Sequence, residues 1–140
     1  MLDKQTMVLL AIGEDNLSGL IRRLLVESEH NFDVYGDEVY HRRYLYDMVA
    51  GHQPDVLIVH DSFLQGDKIV PEEQDAEMLE ILQYIRLKFD QQIRIVYVCM
   101  RDRQDPFLGK IVGLGVHDIF HSEVFGADVF VEQLSSPPKF

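Results

Sequence analysis

His60, Asp61 and Ser62 stand consecutively behind four apolar residues, Val56 to Val59, and carry an imidazole, a carboxylate and a hydroxyl. These are the groups of general-base, nucleophilic and metal-ligand chemistry. Glu14 and Asp15 follow the first apolar run of the chain in the same way, Cys99 closes another, and His121 follows the last. If the runs are parallel strands, these residues gather at the carboxyl edge of one sheet, where open α/β folds keep their sites. A cation held by His60, His121, Asp61 and Glu14 is one chemistry for such a set. The chain lacks the His-x-x-x-His and His-Glu-x-x-His spacings that support it, so structural or surface roles are expected for the six histidines. His117 belongs at the opposite end of its strand. A Ser-His-Asp set is no better supported, because Ser62 has no Gly-x-Ser-x-Gly elbow around it. A phosphate cradle of the flavin-binding kind would fall on Gly13, Glu14, Asp15 and Asn16, where two acids repel an anion. Neither a cofactor nor an enzyme activity is expected.

The elements that must position these groups read as five apolar runs alternating with helical stripes, the pattern of βα units in a parallel sheet covered on both faces. Met7–Ile12 is the first strand, and Gly13 to Asn16 turn it into a helix marked by Leu17, Leu20, Ile21, Leu24 and Leu25. A second strand is expected near Phe32 to Tyr35. The helix after it, near Tyr40 to Gly51, places His41, Leu45, Met48 and Val49 on one face. Val56–Val59 is the third strand, followed by a polar loop, Asp67 to Asp75, and a helix over Ala76–Phe89. That loop is long for its connection, and a solvated insertion or a contact segment both explain it. Ile93–Met100 is the fourth strand, and a helix through Phe107 and Leu114 stops at Gly115. Gly109 and Gly113 leave two bare positions on one face of that helix, as close packing on its own sheet would require. His117–Phe120 is the fifth strand, before a short helix with Val129, Val131 and Leu134. Leu9, Leu10, Leu57, Ile58, Val96 and Val98 are the expected core.

A chain of 140 residues with 46% hydrophobic content is one domain's worth of soluble protein. The net charge of -11, with no basic stripe, argues against nucleic-acid binding, which needs Lys and Arg to displace counterions from phosphates. A single cysteine excludes a disulfide framework and fits a reducing, cytoplasmic setting. There is neither an export signal nor an apolar stretch of roughly 18 to 20 residues, the length of a membrane span. The organisation expected is one domain over 1–134, with 135–140, Ser-Ser-Pro-Pro-Lys-Phe, as a linker or tail.

PDVLIVHDSFLQG, EILQYIRLKFDQQIRIVYV and GLGVHDIF make this pattern resemble the receiver domains of response regulators, whose flavodoxin-like doubly wound sheet has the order 2-1-3-4-5. That resemblance implies a set of site positions. An acidic pair that holds Mg²⁺ falls here on Ile12 and Gly13, the phosphoryl-accepting Asp on His60, the hydroxyl on Cys99 and the lysine on Ser122. The aromatic switch position falls on Ile119. Every element of the set is replaced. Glu14 and Asp15 follow the pair directly and are weak substitutes as metal ligands, since acids in a first helical turn serve the helix dipole. Asp61 is a weak substitute acceptor, because one step along a strand turns the side chain to the other face.

The opening strand ending in LLAIG, the IRLKF helix end, RDRQDP and LGVHDIF are similar to the degenerate receivers at the N-terminus of TadZ/CpaE-type ParA/MinD-like ATPases, which localise and assemble pilus and secretion machinery. No Gly-x-x-x-x-Gly-Lys-[Ser/Thr] phosphate loop occurs in the chain, so an ATPase domain would have to lie elsewhere in a longer protein. The resemblance implies a non-catalytic pseudo-receiver that works by protein contact, as a homodimer or docked on another protein. The alternative is an atypical receiver that still takes part in phosphorelay signalling. Phe107, Leu108, Val124, Phe125 and Phe130 supply more large apolar side chains than a short helix and a strand end need, so Phe107 to Phe130 is the expected association surface.

Overall fold

Val8 to Ile12 are apolar at every position, so the strand that carries them needs cover on both faces rather than one. A computed structural model, which describes residues 5–121 and 127–135, meets that requirement with helices on both sides of a five-stranded parallel sheet. The elements run β1 (Thr6–Ala11), α1 (Asp15–Val26), β2 (Phe32–Val34), α2 (Leu45–His52), β3 (Val56–His60), α3 (Pro71–Phe89), β4 (Arg94–Cys99), α4 (Pro106–Gly113), β5 (Asp118–His121) and α5 (Ala127–Ser135). The sheet order is β2-β1-β3-β4-β5, as expected. In register, Leu9 lies beside Leu57 and Leu57 beside Ile95, so the two faces alternate residue by residue across the sheet. One face packs Leu9, Leu57 and Tyr97 against Leu82 of α3 and Ile111 of α4. The other packs Leu10, Ile58 and Val98 against Ile21 of α1 and Phe130 of α5. All six residues expected as core are fully buried. Among the described residues no helix is long and apolar enough to cross a membrane.

Several boundaries differ from the sequence reading, each for a local reason. α3 starts at Pro71 rather than Ala76, so helix takes over half of the loop expected over 67–75. Pro71 fixes φ where no backbone donor is needed, and Glu72 and Glu73 favour the positive end of the helix dipole. The helix expected from Tyr40 opens instead with a 3-10 turn, Arg42–Tyr44. His41 does not join the face of Leu45 and Val49. Its Nδ1 caps the turn by accepting from the Arg43 amide at 3.1 Å. Gly115 ends α4 at φ +80°, a left-handed C-terminal cap, as expected. A Cβ at Gly109 or Gly113 would meet nothing within 4 Å, so those glycines do not mark close packing on the sheet.

β5 begins at Asp118 because that carboxylate is buried and paired. Arg94 grips it with two bonds, Nε to Oδ2 at 2.7 Å and Nη2 to Oδ1 at 2.9 Å. The same guanidinium donates to the Gln133 and Leu134 carbonyls, so one fork ties β4, β5 and the last turn of α5 together. Arg86 does the same for α3 and α4, donating to the carbonyls of Ile93, Leu114 and Gly115. Asp118→Ala is expected to cost about 1.5 to 3 kcal/mol, the range for bonds to charged groups. Urea unfolding that shows less than about 0.5 kcal/mol, as an exposed ion pair would give, contradicts the role assigned to this fork.

Candidate functional site

The first loop at the carboxyl edge of the sheet is built around Gly13. It sits at φ +82°, and a Cβ there would lie 2.5 Å from the Phe63 carbonyl oxygen. Only a residue without a side chain lets the loops after β1 and β3 approach this closely. Gly13→Ala is therefore expected to destabilise by more than the usual glycine-to-alanine gain of about 0.4–1 kcal/mol, with opposite sign. A thermal melt that leaves Gly13→Ala at or above the parent midpoint refutes the close approach. Ile12 beside it is fully buried in the α1/α5 core. Glu14 caps α1, its carboxylate accepting from the amides of Asn16 at 2.6 Å and Leu17 at 3.2 Å. Its oxygens are thus committed to the helix.

His60 closes β3 and is fully buried. Its Nδ1 accepts from the amides of Ser62 at 3.2 Å and Phe63 at 3.1 Å, and its ring stacks on Phe63 with centroids 4.1 Å apart. Those bonds place the ring proton on Nε2, a buried atom with no hydrogen-bond partner among the described residues. Burial lowers the His60 pKa to about 4, outweighing the nearby carboxylates of Asp61 and Glu14. The imidazole is neutral at physiological pH and shapes the loop. It presents no nucleophile to solvent.

Asp61 turns to the other face, into the α2, α3 and α4 layer. The Tyr97 hydroxyl donates to its Oδ1, and Arg101 Nε donates to its Oδ2 at 2.7 Å. Arg101 also pairs with Asp75 of α3 and with Asp105, the N-cap of α4, and lies 4.2 Å over the Phe107 ring. Burial works against the Arg101 charge, yet bonds to Asp75 and Asp61 raise its pKa overall. Burial, together with Asp61, pushes the Tyr97 phenol far up, so it stays a donor. Arg42, itself buried, donates to the carbonyls of Asp61, Leu64 and Gln74 and pairs with Glu77. Arg42, Asp61, Asp75 and Arg101 line a cleft of about 370 Å³ with Ser62, Gly66 and Lys68. Its buried charges satisfy one another, so the cleft behaves as a clasp between the ends of β3, α3 and β4.

Cys99 is buried, and burial raises its thiol pKa, which keeps it protonated and unreactive. His121 Nδ1 lies 3.0 Å from the Arg101 carbonyl and 3.8 Å from Cys99 Sγ. Ile119 packs against the α2, α3 and α4 core. Ser122 lies outside the described residues, as do Val124 and Phe125. Among the described residues no three His, Cys, Asp or Glu side chains come close enough to hold a metal ion. Phe107, Leu108 and Phe130, expected on an association surface, are buried instead. Phe107 and Leu108 complete one core and Phe130 the other, where it meets Phe120 edge to face.

Set against solved structures, the chain is similar to the isolated receiver domain of RcsB from Salmonella enterica serovar Typhimurium in the presence of phosphomimetic BeF3⁻, at 19% identity and TM-score 0.75, covering 98% of this chain and 93% of that one. The signal receiver domain of the putative response regulator NarL from Mycobacterium tuberculosis matches at 12% identity and TM-score 0.70, with 94% of each chain covered. The chain has the receiver fold. A DNA-binding response regulator of the LuxR family from Staphylococcus aureus is similar at 16% identity and TM-score 0.66, over 91% of this chain and 93% of that one. No family model matches the chain, and no curated protein does.

Sequence reasoning on this receiver fold missed the clasp. Tyr97, Arg101, Arg42 and Asp75 do not belong to the receiver set and, Tyr97 and Arg101 excepted, lie far apart in the chain. One signal was legible: a tyrosine two residues before Cys99 shares its face, and a buried phenol needs a polar partner.

Proposed function

We propose that this chain is a non-catalytic pseudo-receiver that works through protein contact, in a TadZ/CpaE-like pilus or secretion assembly ATPase. The observation that carries the reading is Asp61: the carboxylate nearest the acceptor position is held by Tyr97 and Arg101, and His60 occupies the acceptor position itself with a buried, neutral ring. Among the described residues a phosphoryl group has neither a free nucleophile nor a cation site to meet. Incubation with acetyl phosphate and Mg²⁺ is expected to leave the mass unchanged. A stable phosphoryl adduct that Asp61→Asn abolishes would overturn the reading.

The second reading is an atypical response-regulator receiver, favoured by similarity to receiver domains over nearly the whole chain and by the presence of a carboxylate one residue beyond β3. For that reading Arg101 has to release Asp61 on activation. The two also differ in what accompanies the domain: the first expects a nucleotide-binding phosphate loop in the same protein, the second a DNA-binding effector.

A further inference from the structure

α3 has 19 residues, while its neighbours on the same layer, α2 and α4, have 8 each. At 1.5 Å per residue it is about 28 Å long beside helices of about 12 Å, so it outreaches the elements that flank it. Its inner stripe, Met78, Leu82, Ile85 and Phe89, is spent on the core. Its outer stripe is unusual for a surface helix. Leu87 is 83% exposed and Tyr84 57%, and with Ala76 and Leu79 they border a shallow groove that also takes in Glu80 and Gln83. The edge-to-face contact of Tyr84 with Tyr46 of α2, 6.4 Å between centroids, holds one wall of this groove in place.

The charge along this face runs from acidic to basic. Glu72 and Glu73 are exposed at the amino end, and Lys88 is exposed at the carboxyl end. Glu73 and Lys88 are about four turns apart and lie on the same flank of the helix. A second copy laid antiparallel brings Lys88 of each chain to Glu73 of the other, opposes the two helix dipoles, and sets the large Leu87 over the small Ala76. A partner with a uniformly basic or uniformly acidic face would match only one end. We infer that the outer face of α3 is a self-association surface, on which two copies of this chain pack α3 against α3 antiparallel about a twofold axis. This deepens the reading of a contact-making domain by naming its partner and surface. Glu80 falls near the axis, facing its own copy, so the pair of like charges limits the affinity at neutral pH.

Sedimentation equilibrium on the intact chain tests the pairing. The parent is expected to dimerise with concentration, and Leu87→Asp, at a position too exposed to affect folding, to weaken dimerisation by about tenfold or more. Glu80→Gln is expected to tighten it. Glu73→Lys and Lys88→Glu each weaken it alone, and the double variant recovers the parent affinity, which only a Glu73–Lys88 contact between copies produces. A parent that stays monomeric at high micromolar concentration overturns the inference, as does a dimer indifferent to Leu87→Asp or unrescued by the charge swap. Any of those results leaves the absence of phosphoryl chemistry to its own test by mass.

Discussion

Arg101→Met is expected to destabilise the domain by about 3 kcal/mol, the lower part of the range for removing one partner of a buried ion pair, because its side chain keeps 19% exposure. The loss has three parts. Asp61 is left buried with only the Tyr97 hydroxyl, Asp75 and Asp105 lose their shared cation, and the ring of Phe107 loses the guanidinium above it. Asp61→Asn in the Arg101→Met background removes the stranded charge. It is therefore expected to recover about 1 kcal/mol or more, where two independent sites would simply add. Urea midpoints for the parent, both singles and the double close the cycle. A single-variant loss below about 0.5 kcal/mol would make the clasp an ordinary surface pair.

Acid sensitivity through His60 is the second large effect. Burial depresses the folded pKa of His60 to about 4, from an unfolded value of 6.5. For a base this means that the unfolded chain binds the proton first. The contribution of the neutral ring is fully present above pH 6.5, is lost as pH falls from 6.5, and levels off near 4. Its size is about 3 kcal/mol, at 1.36 kcal/mol per unit. His60→Asn supplies an amide oxygen that can accept from the Ser62 and Phe63 amides without titrating. Stability of this variant between pH 6.5 and 4 is expected to follow only the carboxylates, so the difference from the parent should narrow by that amount. Parallel pH profiles for the two proteins would refute the assignment of a neutral, buried ring.

The fold was legible because five apolar runs and the stripes between them are collective signals. No single residue decides that Leu9, Leu57 and Val96 are core, and so no single error moves them. Boundaries were less legible where one residue decides them: Pro71 as a helix start, His41 as a cap, and Asp118 as a strand end paired to Arg94. At the site, the residue type at each expected receiver position could be read directly, since each is one residue at a known place in a strand. The contacts made there could not. The clasp joins Arg42, Asp61, Asp75, Tyr97 and Arg101 across tertiary distance, and a charged residue in a polar loop carries no mark that it will be buried. The same blindness misplaced Phe107, Leu108 and Phe130. A count of apolar side chains does not tell which of them a two-faced sheet will absorb, whereas α3, read for its inner stripe, hides an outer stripe that is equally apolar at Tyr84 and Leu87.

On the reading proposed above, protein groups hold this receiver fold in one arrangement at the place where receivers use a cation and a phosphoryl group. Amide chemical shifts during titration with Mg²⁺ and BeF3⁻ examine that place, because a phosphoryl mimic reports on it whether or not a stable adduct forms. No saturable shift is expected at Gly13, Glu14, His60, Asp61, Cys99 or Arg101. Saturable shifts at those residues, spreading into α4 and β5, would show instead that the site still takes a cation and a phosphoryl group.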